Sequence, residues 1–181
     1  MTKPNANTSS ALAISILGAL LRLIPHPPNF APVGAVSLFS GARLNGWQAY
    51  LVPLILMAFT DPIISYVRHA GAAAYSDKTL FSYASFLISV WIGRHLSATN
   101  SPVRIGAASV ICAAQFFLIS NFAVWLLGTM YPHNFGGLIA CYVAAIPFFG
   151  NTLASNLVYT AVFFGAYEWL DRRREVAAVR P

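Results

Sequence analysis

The sequence predicts an all-α integral membrane protein of about six transmembrane helices, both termini cytoplasmic, with a short extra external or re-entrant helix. Three observations carry that expectation. Only 9% of the residues are charged and 57% are hydrophobic, whereas a soluble domain needs roughly 25% charge to cover its core. Apolar runs recur along the chain, several of them long enough to cross a bilayer. The basic residues then fall mainly on one side of an alternating topology. A chain of 181 residues accommodates these spans and short loops, with no room for a separate catalytic domain.

The first apolar segment runs from about Ala11 to Ile24 and the second from about Phe30 to Leu44. Pro25, Pro27 and Pro28 separate them, because proline lacks the helical N–H and pushes the residue before it out of the helical region. Both segments are short, and a single re-entrant hairpin is the alternative reading. Trp47–Val67, Thr79–Leu96, Val103–Leu127 and Thr152–Leu170 are each long enough to span. Between the last two lies Phe135–Phe149, rich in small residues and carrying Pro147. It reads as a helix or lid on the outer face. The expected organisation is a flexible tail over 1–9, one transmembrane domain over 10–170 and a basic cytoplasmic tail over 171–181.

Orientation follows from the positive-inside bias. Arg172, Arg173 and Arg174 place the C-terminus in the cytoplasm, and Arg94, His95, Arg104, Arg43 and Lys3 then fall on the same side. Arg22, Arg68 and Lys78 are left outside. This topology accounts for the net charge of +6 without a nucleic-acid partner. Cys112 and Cys141 sit in apolar stretches with no CxxC spacing, so neither a disulfide framework nor a zinc site is indicated. The first segment lacks an A-x-A cleavage site. No G-x-x-x-x-G-K-[ST], G-x-S-x-G or H-E-x-x-H motif is present, which argues against ATP hydrolysis and the standard hydrolases.

The polar residues concentrate towards the outer side. One external loop carries Arg22, His26 and Asn29, and another carries Tyr131, His133 and Asn134. Each holds a Pro-His pair near an asparagine, where proline restrains the backbone and imidazole or carboxamide can bind a ligand. The plainer reading is that these residues break and cap helices. Asp61 precedes Pro62 within the third segment, and an ionisable group there is expected to face the interior or a cavity. Pairing of Asp61 with Arg22 or Arg68 is the alternative. Asn121 and Asn156 are the better site candidates among the intramembrane amides, with interhelical bonding the competing role. Ala11, Ser15 and Ala19, spaced by four, form a small-residue face for a partner helix, internal or belonging to another protein.

Two blocks carry a resemblance. Arg22 to Gly41, R-L-I-P-H-P-P-N-F-A-P-V-G-A-V-S-L-F-S-G, is similar to the signature of an uncharacterised family of small bacterial membrane proteins. Tyr131 to Leu153 resembles that family's second block. In size and helix count the family looks like the S components of energy-coupling-factor transporters. That resemblance implies a bacterial inner-membrane location and a small-molecule ligand such as a vitamin, cofactor precursor or metal. It also implies a transmembrane coupling subunit and separate ATPases as partners. The expected site joins Arg22, His26, Asn29, Asp61, Asn121, Tyr131, His133, Asn134 and Asn156, with His26 and His133 the speculative metal ligands. The rival readings are an assembly subunit without a ligand and, last, a membrane enzyme, for which no activated nucleophile is evident.

Overall fold

The second apolar segment, too short to span a bilayer alone, occupies the axis of the structure. The computed structural model describes residues 8–68 and 75–179. In it this segment forms α2 (Val33–Arg43), 11 residues long, or roughly 16 Å of helix. Around it stand α1 (Thr8–Leu21), α3 (Gln48–Arg68), α4 (Asp77–Arg94), α5 (Pro102–Leu127) and α6 (Phe135–Val179). All five touch α2. Every residue of α2 except Gly34 is buried, and no strand occurs among the described residues.

Small residues make this central position feasible. A Cβ on Gly41 would run into the Val90 carbonyl of α4, and one on Gly93 would run into the Leu38 carbonyl of α2. The two helices therefore cross backbone to backbone, the approach that small residues permit between membrane helices. On the α1 side, Ala11, Ser15 and Ala19 are all buried inside the chain, with the Ser15 and Ser40 hydroxyls 3.1 Å apart. That face is filled by the protein's own α2. Phe39 of α2 meets the ring edges of Phe164 and Tyr167 on α6, at centroid distances of 5.2 and 5.8 Å. Polar bonds tie the outer helices together. Gln115 of α5 accepts from Ser85 and donates to Ser89 on α4, both at 2.9 Å.

The C-terminal end of α2 is fixed by a buried arginine. Arg43 donates to the Leu96 and Thr99 carbonyls at 3.3 and 3.2 Å and to Asn100 Oδ1 at 2.7 Å. Its guanidinium also lies 4.9 Å from the centre of the Phe164 ring. A cation in the last turn complements the helix dipole, and these acceptors satisfy most of its donors.

Gln48–Val67, Pro102–Leu127 and Phe135–Arg174 are long and apolar enough to cross a membrane. Large apolar side chains such as Leu17, Ile55, Phe59, Trp91, Ile111 and Ile146 face outward, as a bilayer-facing surface requires. One expectation is corrected. Phe135–Phe149 is not a separate helix or lid but the first part of α6, which continues through Pro147 for 45 residues. That is roughly 68 Å of helix, more than twice the hydrocarbon thickness of about 30 Å. Proline is tolerated in apolar helices when neighbours support them. Here Phe117 of α5 packs on Phe149 at 5.0 Å and Tyr142 donates to the Leu118 carbonyl at 2.7 Å. Thr8 and Ser9 are already helical, and α6 carries Arg172, Arg173 and Arg174. Lys3 and the rest of the expected N-terminal tail, and Arg180, lie outside the described residues.

The crossing predicts opposite signs for two glycine substitutions. Gly93→Ala should lower stability by about 2 kcal/mol through the clash with α2. Gly150→Ala, whose Cβ would meet open space, should be neutral or add up to about 1 kcal/mol of helix propensity. Thermal unfolding of both variants in detergent checks this, and equal effects would contradict the backbone contact.

Candidate functional site

Because α2 is about half as long as α3 or α5, a space remains beyond its N-terminus. It is a cavity of about 320 Å³, within the range of small-molecule sites, roughly 300–1,000 Å³. All the helices or their flanking turns contribute to its wall: Arg22 after α1, Gly34 of α2, Asp61 of α3, Tyr83 of α4, Phe116 of α5 and Asn156 of α6. A smaller cavity of about 190 Å³ shares Asn29, Phe116 and Thr152 with it and reaches Asn121.

One wall is a closed polar network. Arg22 forms an ion pair with Asp61 Oδ1 and donates to Thr60 Oγ1 at 2.8 Å. Tyr83 donates its hydroxyl to Asp61 Oδ2 at 2.6 Å. The carboxylate therefore has a donor on each oxygen, and the wall carries no net charge. Burying an ionisable pair is tolerable only with this kind of satisfaction. Of the two partners expected for Asp61, Arg22 forms the pair, and the Arg68 side chain lies outside the described residues.

Elsewhere the wall has unused polarity. Asn156 is only 3% exposed and lines the cavity. Among the described residues its carboxamide makes no hydrogen bond. It fits because Gly34 opposite has no side chain: a Cβ there would collide with Asn156 Oδ1. The first turn of α2 begins at the same place with Pro32 as its N-cap and no side-chain cap. The first intrahelical donor is Val36, bonded to the Pro32 carbonyl at 2.9 Å, so the amides of Val33, Gly34 and Ala35 are the orphan donors of a helix start.

The apolar part comes from Met57, Phe86 and Phe116, the two rings stacked at 5.2 Å and 20°. At the start of α4, the Ser76 backbone N–H bonds Thr79 Oγ1 at 2.9 Å and secures the turn that carries Lys78. Lys78 is exposed and has no acidic partner among the described residues. The loop leading into α2 is held by Asn151, which donates to the Pro28 carbonyl at 3.0 Å. Asn29 takes the left-handed conformation there, with φ 61°, which asparagine adopts more readily than most residues.

Of the expected site residues, Arg22, Asn29, Asp61 and Asn156 line the larger cavity, and Asn29 and Asn121 the smaller. Asn121 also donates to the Phe117 carbonyl at 2.8 Å. His26, Tyr131, His133 and Asn134 line neither cavity. The His26 ring faces the adjacent Pro27 carbonyl at 3.1 Å, and the His133 ring faces the Gly128 carbonyl at 3.0 Å. Asn134 Oδ1 accepts from the Gly137 amide at 2.9 Å, so it caps α6. Among the described residues no three His, Cys, Asp or Glu side chains are placed to hold a metal. The metal reading of His26 and His133 has no geometric support. Sequence reasoning missed Tyr83, Lys78, Phe86 and Phe116. The one usable signal was Asp61 itself, since a carboxylate in an apolar segment needs donors from a neighbouring helix.

Residues 2–178 match the profile described as "Family of unknown function (DUF6580)". No curated protein and no solved structure matches the chain.

The closed network predicts strong non-additivity. Asp61→Asn leaves Arg22 without its counter-charge and should cost about 3 kcal/mol, whereas Arg22→Met with Asp61→Leu should recover most of that loss. Denaturation of Arg22→Met, Asp61→Leu, the double variant and the wild type measures the coupling. A double variant as unstable as the sum of its singles would contradict it.

Proposed function

The chain belongs to the DUF6580 family of unknown function, and we propose that it is a membrane-embedded capture subunit for uptake of a small nutrient. The observation that supports this reading is the cavity of about 320 Å³ beside the start of α2, with the unbonded Asn156 carboxamide in its wall. A subunit with only a scaffolding role has no use for a retained space of this size, and the Asn156 carboxamide turns its hydrogen-bonding capacity into that space rather than to a neighbouring helix. A ligand that bonds it gains a hydrogen bond inside the cavity.

In the proposed topology the chain crosses the bacterial inner membrane six times with both termini cytoplasmic. The ends of α1, α3 and α5 and the starts of α2, α4 and α6 then share the external face, and the cavity opens towards it. Helix α2 need not match the bilayer thickness, because other helices shield it from lipid and its irregular approach lines a cavity. The Arg43 end and the basic stretch from Arg172 to Arg174 face the cytoplasm, in keeping with the positive-inside bias. Energy for transport comes from separate ATPases through a coupling subunit, as the resemblance to energy-coupling-factor S components implies. That partner contacts a face other than Ala11, Ser15 and Ala19, which α2 already covers.

Native mass spectrometry of the protein, gently extracted from a source that makes it naturally, should show a co-purifying small molecule. Asn156→Leu should lower its occupancy by about ten-fold, the loss of one good hydrogen bond. His133→Ala should retain it. Protein that arrives empty yet bound to other membrane subunits would favour the assembly reading instead.

A further inference from the structure

The distribution of free donors in the cavity selects the charge of its ligand. Arg22 and Asp61 neutralise each other, and Tyr83 spends its proton on the same carboxylate. What remains is an electropositive helix start and an exposed ammonium, beside the neutral Asn29 and Asn156 carboxamides. The uncapped start of α2 presents the Val33 and Gly34 amides, which carry the positive end of the helix dipole. The buried Asn156 carboxamide, with two free N–H groups, stands against Gly34 in the same wall. Lys78 adds an ammonium with no acidic partner among the described residues. Among the described residues no unpaired carboxylate lines the cavity.

We propose that the cavity binds a small organic anion, its carboxylate or phosphate held by the first turn of α2 and Asn156 and attracted by Lys78. Its apolar or ring-shaped body rests against Phe86, Phe116 and Met57. Gly34 is the specificity element: it leaves room for Asn156 to reach the acid group, and a side chain there displaces the carboxamide. A helix start alone would not define such a site. The buried, unbonded Asn156 beside it is the independent feature that makes the acid group's position specific. This inference rests on the capture reading and narrows its ligand class.

The test uses matched pairs that differ in the acid group, with the full-length protein in detergent. The probes are pantothenate and panthenol, biotin and biotinamide, nicotinate and nicotinamide, and pyridoxal phosphate and pyridoxal, with thiamine as a cation. The pyridoxal pair reports phosphate and the others report carboxylate. Native mass spectrometry should find at least one acid bound, about ten-fold more tightly than its neutral partner. Lys78→Gln should remove several-fold of that preference, and Gly34→Ala should weaken the acid more than its neutral partner. Thermal unfolding confirms that each variant is folded. Asn156→Asp, nearly isosteric, should abolish acid binding by placing a like charge at the same point.

Binding of a neutral or cationic probe in preference to every acid would overturn the anion assignment while leaving capture intact. A naturally co-purified ligand that is neutral or cationic would do the same. Failure of all probes, together with the absence of any co-purified molecule, would remove the capture reading and this inference with it.

Discussion

Where Gly41 meets the Val90 carbonyl and Gly93 meets the Leu38 carbonyl, α2 and α4 touch backbone to backbone, and no side chain larger than hydrogen fits. In a bilayer there is little hydrophobic gain from burying one apolar helix against another, so close packing and hydrogen bonds must hold the bundle. The glycines allow that approach, and Ser15, Ser40, Ser85, Ser89 and Gln115 supply bonds between neighbouring helices. With α2 wholly surrounded, its length is free of the bilayer constraint. The cavity follows from this: a short axis among longer helices leaves space at one end, and Arg43 ties the other to the turn between α4 and α5.

The charges at the two ends are handled differently. Arg43 is satisfied by neutral carbonyls, an amide oxygen and aromatic faces, which anchors that end of α2. At the cavity, Arg22 is matched by Asp61, so that wall orders α1, α3 and α4 around a neutral centre. A helix start, the Asn29 and Asn156 carboxamides and one exposed lysine are left to meet a ligand. This division separates the groups that build the cavity from those that would recognise its contents.

Much of the helix pattern was legible because apolar length and prolines mark it directly. Trp47–Val67 became Gln48–Arg68 and Val103–Leu127 became Pro102–Leu127, each within a residue at either end. The break expected near Pro147 failed, because proline at that position is carried by packing from α5, a tertiary effect with no local signature. In the cavity, Arg22, Asp61 and Asn156 stood out as polar groups in apolar surroundings. Tyr83, Phe86 and Phe116 did not, since aromatic residues in such helices ordinarily pack on one another or face lipid. The Pro-His pairs stand apart from both cavities: both histidines lie by carbonyls of their own loops, a local contact that no spacing rule reveals.

The measurement that bears most directly on this account is an experimental structure of the protein taken from its natural membrane into lipid nanodiscs. The account predicts non-protein density in the cavity, touching the Asn156 carboxamide and the first turn of α2, with the Arg22–Asp61–Tyr83 network intact. A cavity closed by neighbouring side chains, with Asn156 bonded to the protein and no room for a ligand, would contradict it.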